Sequence, residues 1–226
     1  ALTFTVKAAE HLKEKLIEKV GEKGRDLHAS TFHSFAQSIV EEFKEHLNFE
    51  RKPFLMNQSD INFMIREHFD ELNLIESELF KRNPIKAIKV LKVLFDQFRE
   101  ELLSVEQLRI YQSSCEENLR DQALDDKTKA HFQQLKDALK IFPYYQEWKI
   151  TENRMDYGDM ISNLWSLFKN APEVKLKLQE RFQFIIVDEF QDNNHALSQV
   201  IQELAYPENH ITVVGDDDQC IYSFRG

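Results

Sequence analysis

Glycine and proline are scarce, at five residues each in a chain of 226. That excludes an all-β chain full of tight turns and fits a mostly helical protein with few breaks. Cysteine is scarcer still. Cys115 and Cys220 lie far apart, with no C-x-x-C partner and no histidine cluster, which excludes a disulfide framework and a zinc site. A reducing, cytoplasmic setting is therefore expected. No apolar run approaches membrane-spanning length, and the first residues lack the basic-then-apolar layout of a signal peptide. A soluble protein with no membrane partner is expected on those grounds. The sequence also contains no G-x-x-x-x-G-K-[ST], so these residues hold no phosphate loop.

What is present is apolar and aromatic: 42% of residues are hydrophobic and 18 are Phe, enough to build a substantial core. The net charge of −10 argues at first against nucleic acid, since phosphate contacts are made mainly by Lys and Arg. Its distribution weakens that objection. Residues 182–226 carry eight acids against the single base Arg225, so most of the excess lies in the last fifth of the chain. The rest is close to balanced and can carry a local basic face.

Periodicity divides the chain into three parts. LTFT (2–5) reads as the end of a strand, and residues 7–20 as an amphipathic helix with Ala8, Leu12, Leu16 and Val20 on one side. A second helix, 31–47, carries Phe35, Ile39, Phe43 and Leu47 as a stripe. From about 53 to 180 helix follows helix, with Ser59 expected as one cap, Asn83 before Pro84 as another, and Pro143 as a kink or break. MDYGDMISNLWSLFKN (155–170) reads as one helix. After residue 182 the texture changes to strand (FIIV, 184–187), helix (195–204) and strand (ITVVG, 211–215). This is a parallel α/β unit with acids where each strand ends, the end at which open α/β sheets bind ligands. Strands so apolar imply helices over both faces. The economical architecture is one α/β domain with an all-helical insert.

Asp188 and Glu189 follow the first of these strands directly. One carboxylate in that position can hold Mg²⁺ through water, and a second can orient an attacking water. Asp192 is either part of the same group or the cap of the helix that follows.

Four stretches taken together narrow the reading. LTFTVKAAEHLKEKL (2–16), STFHSFAQSIV (30–40), FIIVDEFQDNN (184–194) and ITVVGDDDQCIYSFRG (211–226) resemble, in order, motifs Ia, Ib, II and III of the UvrD/Rep-type superfamily 1 DNA helicases. The resemblance implies an α/β, predominantly helical chain: part of a P-loop NTPase (RecA-like) parallel sheet with a large all-α insertion. It places residues 1–40 and 181–226 in motor domain 1A and 41–180 in the helical 1B subdomain. It further implies a piece of a longer helicase, without its motif I, that by itself cannot turn over ATP.

Roles follow from the same resemblance. Asp188 matches the Mg²⁺-coordinating acid and Glu189 the water-activating residue. Gln219 matches the γ-phosphate sensor and Arg225 the arginine linking nucleotide site to DNA track. Gln191, Asp217 and Asp218 fall among the nucleotide-site residues. Phe4, Tyr222 and Phe224 match aromatics that stack on single-stranded DNA, while Thr3, Thr5, Lys7, Thr31, His33 and Ser34 match residues that hold its backbone. Val6 stands where the family commonly has Asn. The implied cofactors are ATP and Mg²⁺, and the implied partners are single-stranded and duplex DNA, with 3′ to 5′ movement and duplex unwinding. Two other readings remain at this point: a non-catalytic interaction module, and the helicase part of a helicase-nuclease.

Overall fold

The computed structural model describes residues 1–68, 78–119, 125–216 and 218. The chain begins with β1 (Leu2–Thr3), α1 (Val6–Val20), β2 (Ser30–Thr31) and α2 (Phe32–Glu42). Then come β3 (Phe54–Leu55), α3 (Gln58–Glu67), α4 (Glu78–Arg82), α5 (Pro84–Glu100), α6 (Val105–Leu119), α7 (Asp126–Thr151) and β4 (Arg154–Met155). It closes with α8 (Asp159–Asn170), α9 (Pro172–Arg181), β5 (Ile185–Val187), α10 (His195–Ala205) and β6 (Ile211–Val213). The protein is thus predominantly helical α/β with a small parallel sheet, as its composition implies.

Two compact units divide it: residues 1–52 with 159–226, and residues 53–158. These limits differ from the division at 40/41 and 180/181 expected from sequence. The difference comes from α8, whose apolar face of Ile161, Leu164, Leu167 and Phe168 packs on α2 and α10, with α9 beside it. Helical periodicity says which face is buried but not against what.

In the first unit the strands lie in the order β2-β1-β5-β6, all parallel. Leu2 pairs with both Ser30 and Val187, and Val187 with Val213. Along β5 burial alternates: Ile185 and Val187 are buried while Ile186 is 41% exposed. Among the described residues both faces are covered at β1, where Leu2 and Thr3 are both buried, whereas β5 behaves as a strand with a single covered side. Of the expected α1 stripe, Ala8, Leu12 and Leu16 are half-buried and Val20 is exposed, while the one buried residue of the helix is Ala9. The second helix ends at Glu42, and Lys44–Leu47 forms a 3₁₀ turn.

The second unit is helical around one core that includes Met64, Phe80, Leu91, Phe95, Ile141 and Phe142. Asn83 caps α5 by accepting from the Lys86 N–H at 3.0 Å, with Pro84 in the first turn, as expected. Asn57, and not Ser59, caps α3: it accepts from Ser59 and Asp60, and Asp60 returns a bond to the Asn57 N–H. Helix α7 runs through Pro143 without ending. Residues 155–158 are not helical, because Arg154 and Met155 pair in parallel with Phe54 and Leu55.

Candidate functional site

All four strands of the first unit end along one edge of the sheet, and the segments leaving that edge carry most of the residues singled out from sequence. At β5 the ladder continues one residue further, the Asp188 N–H donating to the Leu2 carbonyl at 3.0 Å. Glu189 then adopts the left-handed region, φ 54° and ψ 44°. A non-glycine residue there costs about 1–2 kcal/mol, held here by its surroundings. Its N–H donates to Asp188 Oδ1 at 3.1 Å. The next N–H, of Phe190, donates to the Val214 carbonyl at 2.9 Å, and Val214 N–H to the Val187 carbonyl at 2.8 Å. The turn after β5 is thus stitched to the end of β6.

Gln191 sits across that seam. Its Nε2 donates to Glu189 Oε2, and its Oε1 accepts the Asp216 N–H at 3.1 Å. Asp216 Oδ1 in turn accepts the N–H of Asp218, which is exposed. Gly215 leaves room for this arrangement: a Cβ there would lie 2.8 Å from Gln191 Oε1 and would push the amide aside. Asp192 is not the cap of α10; Asn194 is, accepting the Leu197 N–H at 3.0 Å.

On the β1 and β2 side, Thr3 is 1% exposed, and among the described residues its Oγ1 has no hydrogen-bond partner. Expected at a DNA phosphate, it lies instead inside the sheet, one residue beyond the Leu2–Val187 pair and so beside Asp188. Phe4 is half-buried, its ring 5.1 Å from that of Phe32. Thr5 caps α1 by accepting the Ala8 N–H at 3.1 Å, which supplies a cap where Val6 cannot. Lys7 is exposed on the first turn. Thr31 caps α2, accepting the Ser34 N–H at 3.1 Å and donating to Ser34 Oγ at 2.8 Å. His33 is half-buried and Ser34 exposed on the same turn. A cleft of about 260 Å³ lies between the two helix starts, lined by Val6, Lys13, Ser30, Thr31 and Ser34 among others.

Asp188, Glu189 and Gln191 are therefore brought together, and Phe4, Thr5, Lys7, Thr31, His33 and Ser34 gather at the neighbouring strand ends. Asp217, Gln219, Tyr222, Phe224 and Arg225 lie outside the described residues. Sequence reasoning passed over Gly215 and the Asp216 N–H, although a glycine directly after an apolar strand was the available signal. Among the described residues no three His, Cys, Asp or Glu side chains converge as a metal cage. The donor set fits a hard cation held by one carboxylate, with water and ligand oxygens completing its shell.

An open parallel sheet with acids and helix N-termini along its carboxyl edge defines an α/β ligand-binding domain. The chain belongs to the UvrD/REP helicase N-terminal domain family, whose model matches residues 1–226. It is 29% identical over 228 residues to a "Probable DNA helicase II homolog" of Mycoplasma capricolum subsp. capricolum, covering 100% of this chain and 28% of that protein. The protein of the same description from Mycoplasma pneumoniae is also 29% identical over 228 residues, with 100% and 29% covered. The "ATP-dependent DNA helicase PcrA" of Staphylococcus aureus is 30% identical over 226 residues, again with 100% of this chain and 28% of the relative covered. The chain spans less than a third of the length of these curated relatives.

Proposed function

We propose that this chain is part of the motor of an ATP-dependent DNA helicase, one that moves 3′ to 5′ on single-stranded DNA and separates duplex DNA. The observation that carries the proposal is the shared edge. Asp188 and Glu189 leave β5 at the same end of the sheet at which α1 and α2 begin behind β1 and β2.

Asp188 is the residue to hold Mg²⁺, and Glu189 the one to orient the attacking water and take its proton. Mg²⁺ bound with the nucleotide supplies positive charge against the phosphates. That charge matters here, because Asp188, Glu189, Asp216 and Asp218 would otherwise repel a polyanion. The N-termini of α1 and α2, with Lys7 and the Thr31–Ser34 hydroxyls, favour phosphate groups of a DNA strand. Phe4 offers a ring for base stacking. Gln219 and Arg225 are assigned to γ-phosphate sensing and to coupling with the DNA track, Asp217 and Asp218 to the nucleotide side, and Tyr222 and Phe224 to stacking, all on the family resemblance. Residues 53–158 correspond to the helical 1B subdomain.

Strand displacement by the full-length protein tests this. Partial duplexes with a 3′ or a 5′ single-stranded tail are incubated with ATP and Mg²⁺. Displacement from the 3′-tailed substrate alone is expected. No displacement from either, with no DNA-stimulated ATPase, would point to a non-catalytic interaction module.

A further inference from the structure

We infer that Gln191 is a positioning residue for Glu189, and not a nucleotide ligand: its amide holds the hydrolytic carboxylate and ties it to the Gly215–Asp216 backbone after β6. The inference rests on the assignment of Glu189 under the proposed function.

Three observations converge on it. The amide is committed at both ends, Nε2 to Glu189 Oε2 and Oε1 to the Asp216 N–H. Its orientation is fixed, because exchanging oxygen and nitrogen would set an acceptor against a carboxylate and a donor against an N–H. Finally, Gly215 leaves the space that Gln191 Oε1 occupies, only 2.8 Å from where a Cβ would stand. Glu189, on a left-handed turn with its own N–H bonded to Asp188, depends on such support to keep its carboxylate in one place. A displacement of the backbone at Asp216 is consequently felt at Glu189.

The test uses the full-length protein with saturating single-stranded DNA, measuring kcat and KM for ATP and the Kd of ADP. Gln191→Ala removes both bonds. Gln191→Glu keeps the acceptor for Asp216 but sets a second carboxylate beside Glu189. Gly215→Ala displaces the Gln191 amide without changing it. Each is expected to lower kcat by about 10- to 100-fold, the scale of a misplaced reacting group, with KM and the Kd of ADP little changed. In a Glu189→Gln background, Gln191→Ala should cause no further loss, because the two act as a unit. A raised KM and Kd at unchanged kcat would overturn the inference in favour of a direct nucleotide contact. So would unchanged kinetics in Gln191→Ala, or losses that simply multiply in the double variant. If the wild type shows no DNA-stimulated turnover, or Glu189→Gln leaves it intact, the helicase assignment itself fails and this inference falls with it.

Discussion

Arg99 Nη1 donates to Asp156 Oδ2 at 3.1 Å with both side chains buried, at 4% and 1% exposure. The same oxygen accepts the Tyr145 hydroxyl at 2.7 Å and faces Lys149 Nζ at 3.4 Å. Arg99 Nη2 reaches Asp96 Oδ1 at 2.6 Å, and Lys92 closes on the other Asp96 oxygen at 2.7 Å. Helices α5 and α7 and the segment after β4 are joined in this way inside the helical unit. Removing one partner of a buried pair strands the other charge and costs about 3–5 kcal/mol. Asp156→Ala should lower the unfolding free energy by that amount in urea denaturation followed by circular dichroism. A change near zero would mean that the cluster holds nothing together.

The same residue makes a pH prediction. Burial pushes the Asp156 carboxyl up, but Lys149, Arg99 and the Tyr145 hydroxyl more than offset it and leave its pKa well below the ordinary 3.8. A depressed folded-state pKa means that the unfolded chain binds the proton more readily. The stabilisation is then complete above the unfolded value and is lost as pH falls below about 4 toward the folded one. The urea midpoint should drop on acidification through this range in the wild type and drop less in Asp156→Asn. Equal slopes in the two proteins would contradict this.

Asp188 and Glu189 were legible because an apolar strand followed by acids reads the same way in one dimension as in three. The cap of α3 was legible too: Asp60, three residues after Asn57, completes the capping-box pattern that favours Asn57 over Ser59. The β3–β4 pair was not legible at all: two-residue strands a hundred residues apart have no periodicity to display. The Gln191 bridge depends on a backbone N–H 25 residues away, and a sequence does not record which donors a side chain will meet.

Phe4 should matter for DNA and little for folding. Its ring is half-buried, with its centroid 5.1 Å from that of Phe32. Phe4→Ala in the full-length protein is expected to weaken single-stranded DNA binding by about 1–3 kcal/mol, measured by fluorescence anisotropy, with the melting temperature changing only slightly. A large loss of stability with unchanged affinity would make Phe4 a core residue.

Residues 1–226 taken alone should not hydrolyse ATP, since they contain no G-x-x-x-x-G-K-[ST] to cradle the phosphates. Phosphate release from the purified chain with Mg²⁺ and single-stranded DNA is expected at background. Turnover that Glu189→Gln abolishes would contradict this.

The most direct measurement is single-stranded-DNA-stimulated ATPase of the full-length protein, wild type beside Glu189→Gln, with DNA binding measured in both. Strong stimulation in the wild type, and loss of turnover with retained DNA binding in the variant, is the predicted result. Indifference to DNA together with equal rates in the two proteins would contradict the assignment of Glu189 and the motor function with it.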